Sequence, residues 1–140
     1  MQQDFSRKMV LVIREDMESW KLTNTVAHIA AFLGNKMDQP FDTGDRFISR
    51  DGFELPRNSQ YPIVTLKAPE NDLLMLAQKL RASGLTWIAY TQDMVDLTND
   101  QDLEQRINSK EFEKLSVLGI GAFGTKQDLK QFTNDFPLWK

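Results

Sequence analysis

The sequence predicts a single α/β domain, built as a three-layer α/β/α sandwich around a mixed sheet of about four strands. Short apolar runs rich in β-branched residues alternate with helical apolar stripes, and one strand–helix–strand unit is complete. No Gly/Ser-rich or Pro-rich linker divides the 140 residues, whose 41% hydrophobic content is ordinary for one domain. We therefore expect one domain over residues 1–140, with an irregular loop inserted at about 35–60.

The first strand is expected at residues 8–13, because this run is apolar on both faces, as in a strand buried between helices. A helix is expected to begin near Ser19, whose hydroxyl could cap it, and to stop at Gly34. The apolar stripe of this helix consists of Leu22, Val26, Ile29, Ala30 and Leu33.

Residues 35–60 are dense in turn-forming residues, among them Pro40, Asp42-Thr43-Gly44-Asp45 and Pro56-Arg57-Asn58-Ser59. Such a composition predicts a loop, with a short hairpin at Asp51-Gly52. Long irregular segments in compact domains are more often functional than idle. A second buried strand is expected at residues 61–67.

The second helix is expected to start at Pro69 and to end at Ser83-Gly84. Its apolar stripe consists of Leu73, Leu74, Leu76, Ala77 and Leu80. A third strand follows at residues 85–91, and the order strand, helix, strand implies a right-handed parallel crossover. The sheet is therefore expected to be at least partly parallel.

The last third of the chain predicts two more helices and a fourth strand. Thr98 with Gln101 resembles a capping box that opens an acidic helix of about ten residues. The fourth strand is expected at residues 115–120, and Thr125 could cap a short helix through Gln131. The apolar tail, residues 136–139, is expected to dock on the body of the domain.

Composition argues against several classes of function. Cysteine is absent, which removes thiol catalysis and disulfides, and the single histidine argues against a histidine-rich zinc site. No stretch reaches the roughly 18 apolar residues that span a bilayer. The net charge of −3 disfavours a nucleic-acid partner such as tRNA. We expect no metal, no cofactor, no membrane association and a cytoplasmic location.

A glycine pattern near the end of the chain has the letters of a nucleotide-binding motif. Gly119, Gly121 and Gly124 have the spacing Gly-x-Gly-x-x-Gly. They end the predicted sheet, however, whereas the dinucleotide motif follows a first strand and precedes an acidic residue. We therefore expect no nucleotide site there.

The opening of the chain resembles that of class II peptidyl-tRNA hydrolases. Residues 8–17, KMVLVIREDM, are similar to the first strand and the Arg-x-Asp-Leu turn of that family. Lys21 and, seven residues later, His28-Ile29-Ala30 are similar to its first helix, which carries Gly-Lys-x-x-x-Gln-x-x-His-Ala.

Two later segments extend the resemblance over almost the whole chain. Residues 62–67, the Leu-rich helix and Ser83-Gly84-Leu85 are similar to the second strand and helix of the family. Residues 117–121 and the closing residues 129–138 are similar to its last strand, helix and terminal segment. The order of these segments implies a peptidyl-tRNA hydrolase II-like fold.

The departures from the family lie where its chemistry should be. Thr25 replaces the family's Gln, and Trp20 replaces the Gly before its Lys. If Thr91-Gln92 matches the end of the family's Asp-Ala-Gly-x-Thr-Gln loop, Trp87 stands at the Asp position; if the strand ends are matched, Asp falls near Tyr90 or Thr91. Neither alignment restores the carboxylate, although Asp93 lies close by.

This pattern, with the inserted loop and the acidic helix, is closer to a sister group, the uncharacterised family numbered two thousand among the domains of unknown function. For that group the resemblance implies a fold and no established activity. From the hydrolases, Lys21 carries over as a catalytic candidate, with Thr91 and Asp93 as its companions.

The residues themselves predict a site at the start of the first helix. Lys21, Thr25 and His28 have the spacing i, i+4 and i+7, which places them on one helix stripe. Ligands gather at the carboxyl ends of strands, and a helix N-terminus favours anions, so Lys21 there suits an anion. Further candidates for binding or catalysis beside this stripe are Asp16, Trp20, Asn24, Thr91 and Asp93.

Each candidate also has a purely structural interpretation. Lys21 could be solvated, Thr25 could bond the preceding helical turn, and His28 could pack on a strand. Asp16 and the Thr91-Gln92-Asp93 run could be polar turns, and Trp20 could line a pocket or a dimer contact.

Three hypotheses of function follow. The first is a domain divergent from the hydrolases that binds a small anionic ligand or a protein partner near Lys21. The second is a peptidyl-tRNA ester hydrolase in which Lys21 stabilises developing negative charge. The third is a homodimerisation module, with the apolar tail crossing between subunits.

Overall fold

The chain forms both strands and helices, with a run of three strands after the first helix. The structure, a computed structural model, describes residues 5–37, 45–58 and 60–140. The strands within these ranges are β1 (Arg7–Arg14), β2 (Arg46–Ile48), β3 (Glu54–Pro56), β4 (Ile63–Ala68), β5 (Thr86–Thr91) and β6 (Val117–Thr125). The helices are α1 (Ser19–Lys36), α2 (Glu70–Arg81), α3 (Gln92–Asp96), α4 (Asp100–Asn108) and α5 (Lys126–Thr133), with a short 3-10 helix at Phe112–Lys114. The α/β class predicted from the sequence is confirmed.

The main sheet is mixed and has four strands in the order β4-β1-β6-β5. β1 pairs parallel with β4 and antiparallel with β6, and β6 pairs antiparallel with β5. Hence β1, β4 and β5 run in one direction, and their carboxyl ends share one edge of the sheet. The parallel relation between β4 and β5, joined through α2, is the one predicted from the sequence.

Helices pack on both faces of this sheet. Successive residues of β1 point to opposite faces, so that the strand contributes to two cores. On the face that we call the α1 face, the core contains Met9, Leu11 and Ile13 of β1 with Ile29 and Leu33 of α1. On the α2 face, it contains Val10 and Val12 of β1 with Leu73 and Leu80 of α2 and Leu129 of α5. No helix within the described ranges is both long enough and apolar enough to cross a membrane.

Two glycines of β6 let α1 lie close against the sheet. A Cβ atom added at Gly121 would overlap Ile29 Cγ2 and would lie 2.8 Å from Leu33 Cδ1. At Gly119 it would lie 2.9 Å from Thr25 Cγ2. The Gly-x-Gly-x-x-Gly letters therefore serve helix packing at these two positions, because only a residue without a side chain leaves room for α1.

The ends of α1 differ from the prediction. Ser19 does not cap the helix: Glu18 is the N-cap residue, and its side chain makes no capping hydrogen bond. Gly34 does not stop the helix, which continues to Lys36. Burial of Leu33 against the sheet outweighs the modest cost of one helical glycine, about 1 kcal/mol.

The boundaries of three other elements also differ from the prediction. β6 continues past the predicted end at residue 120 to Thr125, because it is paired with β1 on one side and β5 on the other. α4 is capped by Asn99 and not by Thr98, since Asn99 Oδ1 accepts from Gln101 N at 2.9 Å. The Thr125 cap is confirmed, with Oγ1 accepting from Asp128 N at 3.1 Å, although its helix runs beyond Gln131.

The predicted hairpin is present in the inserted segment. β2 and β3 pair antiparallel, and Gly52 between them has a φ of +87°, which suits glycine. The apolar side chains Phe47, Ile48, Phe53 and Leu55 of this hairpin region are exposed. Pro40, Asp42-Thr43-Gly44 and Ser59, which supported the loop prediction, lie outside the described residues.

The apolar tail docks on β4, as predicted. Lys67 N donates to Pro137 O at 3.0 Å, and Trp139 N donates to Thr65 O at 2.9 Å. Leu138 forms an antiparallel bridge with Leu66. The tail thus covers part of the outer edge of β4 in its own chain.

Candidate functional site

The predicted site residues lie near the edge of the sheet where β1, β4 and β5 have their carboxyl ends. β1 ends at Arg14 and β5 ends at Thr91, and the helices that follow them begin at Ser19 and Gln92. β4 ends at the same edge, and α2 follows it. Ligands of open α/β sheets bind outside this edge, so its polar residues form the candidate site.

Tyr90 joins the α1 stripe to β5. Its hydroxyl donates to Asn24 Oδ1 at 3.1 Å. The His28 ring stacks on the Tyr90 ring, with 5.0 Å between centroids and 13° between planes. The structure therefore brings the predicted residues Asn24 and His28 to the last turn of β5, through a tyrosine that sequence reasoning did not select.

Burial raises the pKa of the Tyr90 hydroxyl above its ordinary value of 10.0. Neutral Tyr90 is therefore favoured in the fold, and the unfolded chain releases the proton at lower pH. The contribution of Tyr90 to the free energy of unfolding is unchanged below about pH 10, and it falls as the pH rises through the raised pKa. We expect Tyr90→Phe to remove this alkaline loss and to cost about 1 kcal/mol through the lost hydrogen bond.

Urea unfolding of the variant at about pH 8 and about pH 11 would measure both effects. Tyr61→Phe is the control, because it leaves Tyr90 and its contacts with Asn24 and His28 in place, so the alkaline loss of stability should persist in this variant. An alkaline loss that is the same in Tyr90→Phe as in the wild type would contradict the assignment.

Lys21 lies in the first turn of α1 and forms no ion pair within residues 5–37, 45–58 and 60–140. Its Nζ lies 5.5 Å from the ring centroid of Trp20. The Trp20 side chain is 55% exposed, and its indole nitrogen donates to Glu18 Oε2 at 2.8 Å. The carboxylate of the N-cap residue is thus held by the indole, and it caps no backbone amide of α1.

Thr25 stands one turn further along the same stripe and is fully buried. Its Oγ1 has no hydrogen-bond partner among the described residues. The hydroxyl does not bond the preceding turn, which was its structural interpretation from the sequence. A buried hydroxyl without a partner is costly, so a water or a ligand atom is its natural complement.

Thr91 and Asp93 do not join this stripe as expected. Alternation along β5 places Tyr90 on the α1 face and Thr91 on the other, where its cross-strand partner Val117 belongs to the α2-face core. Asp93 is buried in α3 and accepts from Lys110 Nζ at 3.2 Å, with Arg106 Nη1 at 3.8 Å. Its carboxylate is occupied by two cations of its own chain.

Asp16 pairs with Arg14 and not with Lys21. Arg14 Nε donates to Asp16 Oδ1 at 2.7 Å, and Arg14 Nη1 donates to Ser116 Oγ at 2.9 Å. The guanidinium also lies 3.7 Å from a Glu70 carboxylate oxygen at the start of α2. Arg14 therefore ties β1 to the residue before β6 and to α2.

Sequence reasoning missed four residues that organise this edge: Arg14, Tyr90, Arg106 and Lys110. A signal existed for two of them. Arg14 and Tyr90 each sit near the end of a buried strand, where the period-2 pattern directs a polar group inward. No signal marked Arg106 and Lys110, because their pairing with Asp93 depends on how α3 and α4 fold together.

Comparison with known proteins identifies relatives but no activity. A family model described as "Protein of unknown function (DUF2000)" matches residues 7–140. A solved structure of a protein of unknown function from Agrobacterium tumefaciens strain C58 is similar, with a TM-score of 0.81 and 18% identity. The similarity covers 98% of this chain and 100% of that one, and it shows a shared fold. Among curated proteins, none matches the chain.

Proposed function

The chain belongs to the DUF2000 family of proteins of unknown function, and from that premise we propose that it binds a small anionic ligand at the first turn of α1. Lys21 is the cationic contact in this proposal. The family description supplies no activity, so the proposal is argued from the residues at this helix end.

The proposal rests on the position of Lys21, which lies at the N-terminal end of α1. The N-terminus of a helix bears a partial positive charge, so a cation in the first turn is unfavourable for stability. Lys21 is nevertheless there, α1 has no acidic residue in its first turn, and no side chain among residues 5–37, 45–58 and 60–140 caps its amides. A bound anion would satisfy both the ammonium group and the free amides.

No carboxylate of the described residues forms an ion pair with Lys21. The neighbouring carboxylates of Asp16 and Glu18 are engaged by Arg14 and Trp20. Trp20 offers an exposed aromatic surface beside the ammonium group, which suits a ligand with an apolar or aromatic part. Carboxylate and phosphate share the chemistry that this site would recognise, and a titration with each separates them.

We expect inorganic phosphate or acetate to shift the amide resonances of Ser19, Trp20 and Lys21, and the indole resonance of Trp20, in a saturable way. Lys21→Met should weaken this binding roughly tenfold or more, since a charge-assisted contact contributes about 1.5–3 kcal/mol. Two-dimensional NMR titration of the labelled protein measures both effects.

Lys36→Met is the matched control for Lys21→Met. Lys36 lies on the same helix and over an aromatic ring, with its Nζ 5.7 Å from the Phe32 centroid. It occupies the last turn, where the helix dipole favours a cation. Equal weakening by both substitutions, or unchanged affinity in Lys21→Met, would refute a specific site at Lys21.

The hydrolase hypothesis is tested with the same variants. Asp93, the carboxylate among its catalytic candidates, is engaged by Lys110 and Arg106, which supports binding without ester cleavage. We expect purified protein to release no peptide from a peptidyl-tRNA. If the wild type and Lys36→Met release peptide and Lys21→Met does not, the hydrolase replaces the binding-only proposal.

A further inference from the structure

A groove opens on the α2 face at the end of the sheet away from Lys21. It has a volume of about 410 Å³, within the range of roughly 300–1,000 Å³ that is typical of small-molecule sites. Its walls come from β1, β4, α5 and the C-terminal tail. The groove is lined by the lysines and apolar residues Lys8, Val10, Val64, Leu66, Lys126, Lys130 and Phe136, among others.

Three lysines line this groove in a chain whose net charge is −3. Lys126 and Lys130 are four residues apart on α5, and therefore share one face of the helix. Lys8 lies across from them on β1. Through the part of the chain that the structure describes, none of these three lysines forms an ion pair.

The floor of the groove is apolar. Val10 and Leu66 belong to the α2-face core, and Val64 and Phe136 pack against that core while remaining partly exposed. Like charges on neighbouring helix positions repel, so an anion between the lysines would relieve the repulsion. An apolar floor below a cationic rim is complementary to a molecule with an anionic head and an apolar body.

We propose that this groove binds a small amphipathic carboxylate, with the head between Lys8, Lys126 and Lys130 and the aliphatic or aromatic body on the valine and leucine floor. The site is separate from the one at Lys21. Lys8 lies at the start of β1, whereas Lys21 lies in the first turn of the helix that follows the carboxyl end of β1, so the two sites belong to opposite ends of this strand.

The test uses octanoate, kept below its micelle concentration, with octanol and acetate as comparison ligands. The methyl resonances of Val64 and Leu66 should shift saturably with octanoate. Octanol, which lacks the charge, should bind roughly tenfold more weakly, and acetate, which lacks the body, should leave these methyl groups unmoved.

The double variant Lys8→Gln/Lys130→Gln should weaken octanoate binding at least about tenfold, while Lys79→Gln/Lys114→Gln, which removes two lysines outside this groove, should not. An unchanged amide spectrum would show that both variants are folded. Lys21→Met should bind octanoate in this groove normally, so that failure of the Lys21 proposal leaves this one standing.

Three results would overturn the proposal. Equal affinity for octanol and octanoate would show that the lysines do not bind the carboxylate group of the ligand. Equal affinity of the two double variants for octanoate would show that Lys8 and Lys130 contribute nothing to binding. Octanoate shifts confined to α1 would place the ligand at the Lys21 site instead.

Discussion

Replacement of Gly121 by alanine should destabilise the protein by about 3 kcal/mol, the upper part of the usual range for an overpacked core. The added Cβ would overlap Ile29 Cγ2 and press on Leu33 Cδ1, both in fully buried side chains of α1. Ile29 is branched at Cβ and has few alternative rotamers, so relief requires movement of the helix backbone. Urea unfolding followed by circular dichroism would measure the loss.

Gly124→Ala is the matched control within the same strand. A Cβ there would meet the flexible end of Leu85 at 3.1 Å and Leu129 Cγ at 3.8 Å. Its cost should stay below about 1 kcal/mol, since a leucine end can give way. If both alanine variants lose equal stability, close approach of α1 to Gly121 is not the cause of the loss.

Truncation of Ile29 to alanine should cost about 2–5 kcal/mol, because a fully buried side chain is replaced by a cavity. The same change removes Ile29 Cγ2, the atom that the Cβ added by Gly121→Ala would overlap. We therefore expect the double variant Ile29→Ala/Gly121→Ala to be more stable than the sum of the two single losses implies. The coupling should be about 1 kcal/mol or more, as for residues in direct contact.

Unfolding free energies of the wild type, both single variants and the double variant complete this cycle. Strict additivity would mean that Ile29 and Gly121 do not share the contact shown by the structure. The cycle also bears on the candidate site, because Thr25 meets Gly119 in the same helix–strand contact. A shift of α1 would displace Lys21 together with Ile29.

The α1 part of the candidate site follows from sequence spacing. Lys21, Thr25 and His28 share a stripe because helical geometry places residues four and seven apart on one side. In the structure, His28 of this stripe and the neighbouring Asn24 contact Tyr90 near the end of β5. Nothing local predicted that contact, since Asn24 and Tyr90 are 66 residues apart in the chain.

Helix ends were predicted less well than helix existence. Ser19 and Thr98 are good capping residues by type, yet Glu18 and Asn99 occupy the N-cap positions. A cap is selected by where packing fixes the first turn, and an adjacent residue of similar propensity can take it. The uncapped amides of α1 are relevant to the proposed anion site, because they leave partial positive charge beside Lys21.

The sequence by itself determined the α/β class, the four strands of the main sheet and the parallel relation of β4 and β5. Apolar periodicity and the order of connected elements are local properties, so they can be recognised from the sequence alone. Tertiary structure alone decided that Asp93 binds Lys110 and Arg106, that Arg14 binds Ser116, and that α1 packs against Gly121. These pairings depend on distances between separate elements, which are fixed only when both faces of the sheet are packed.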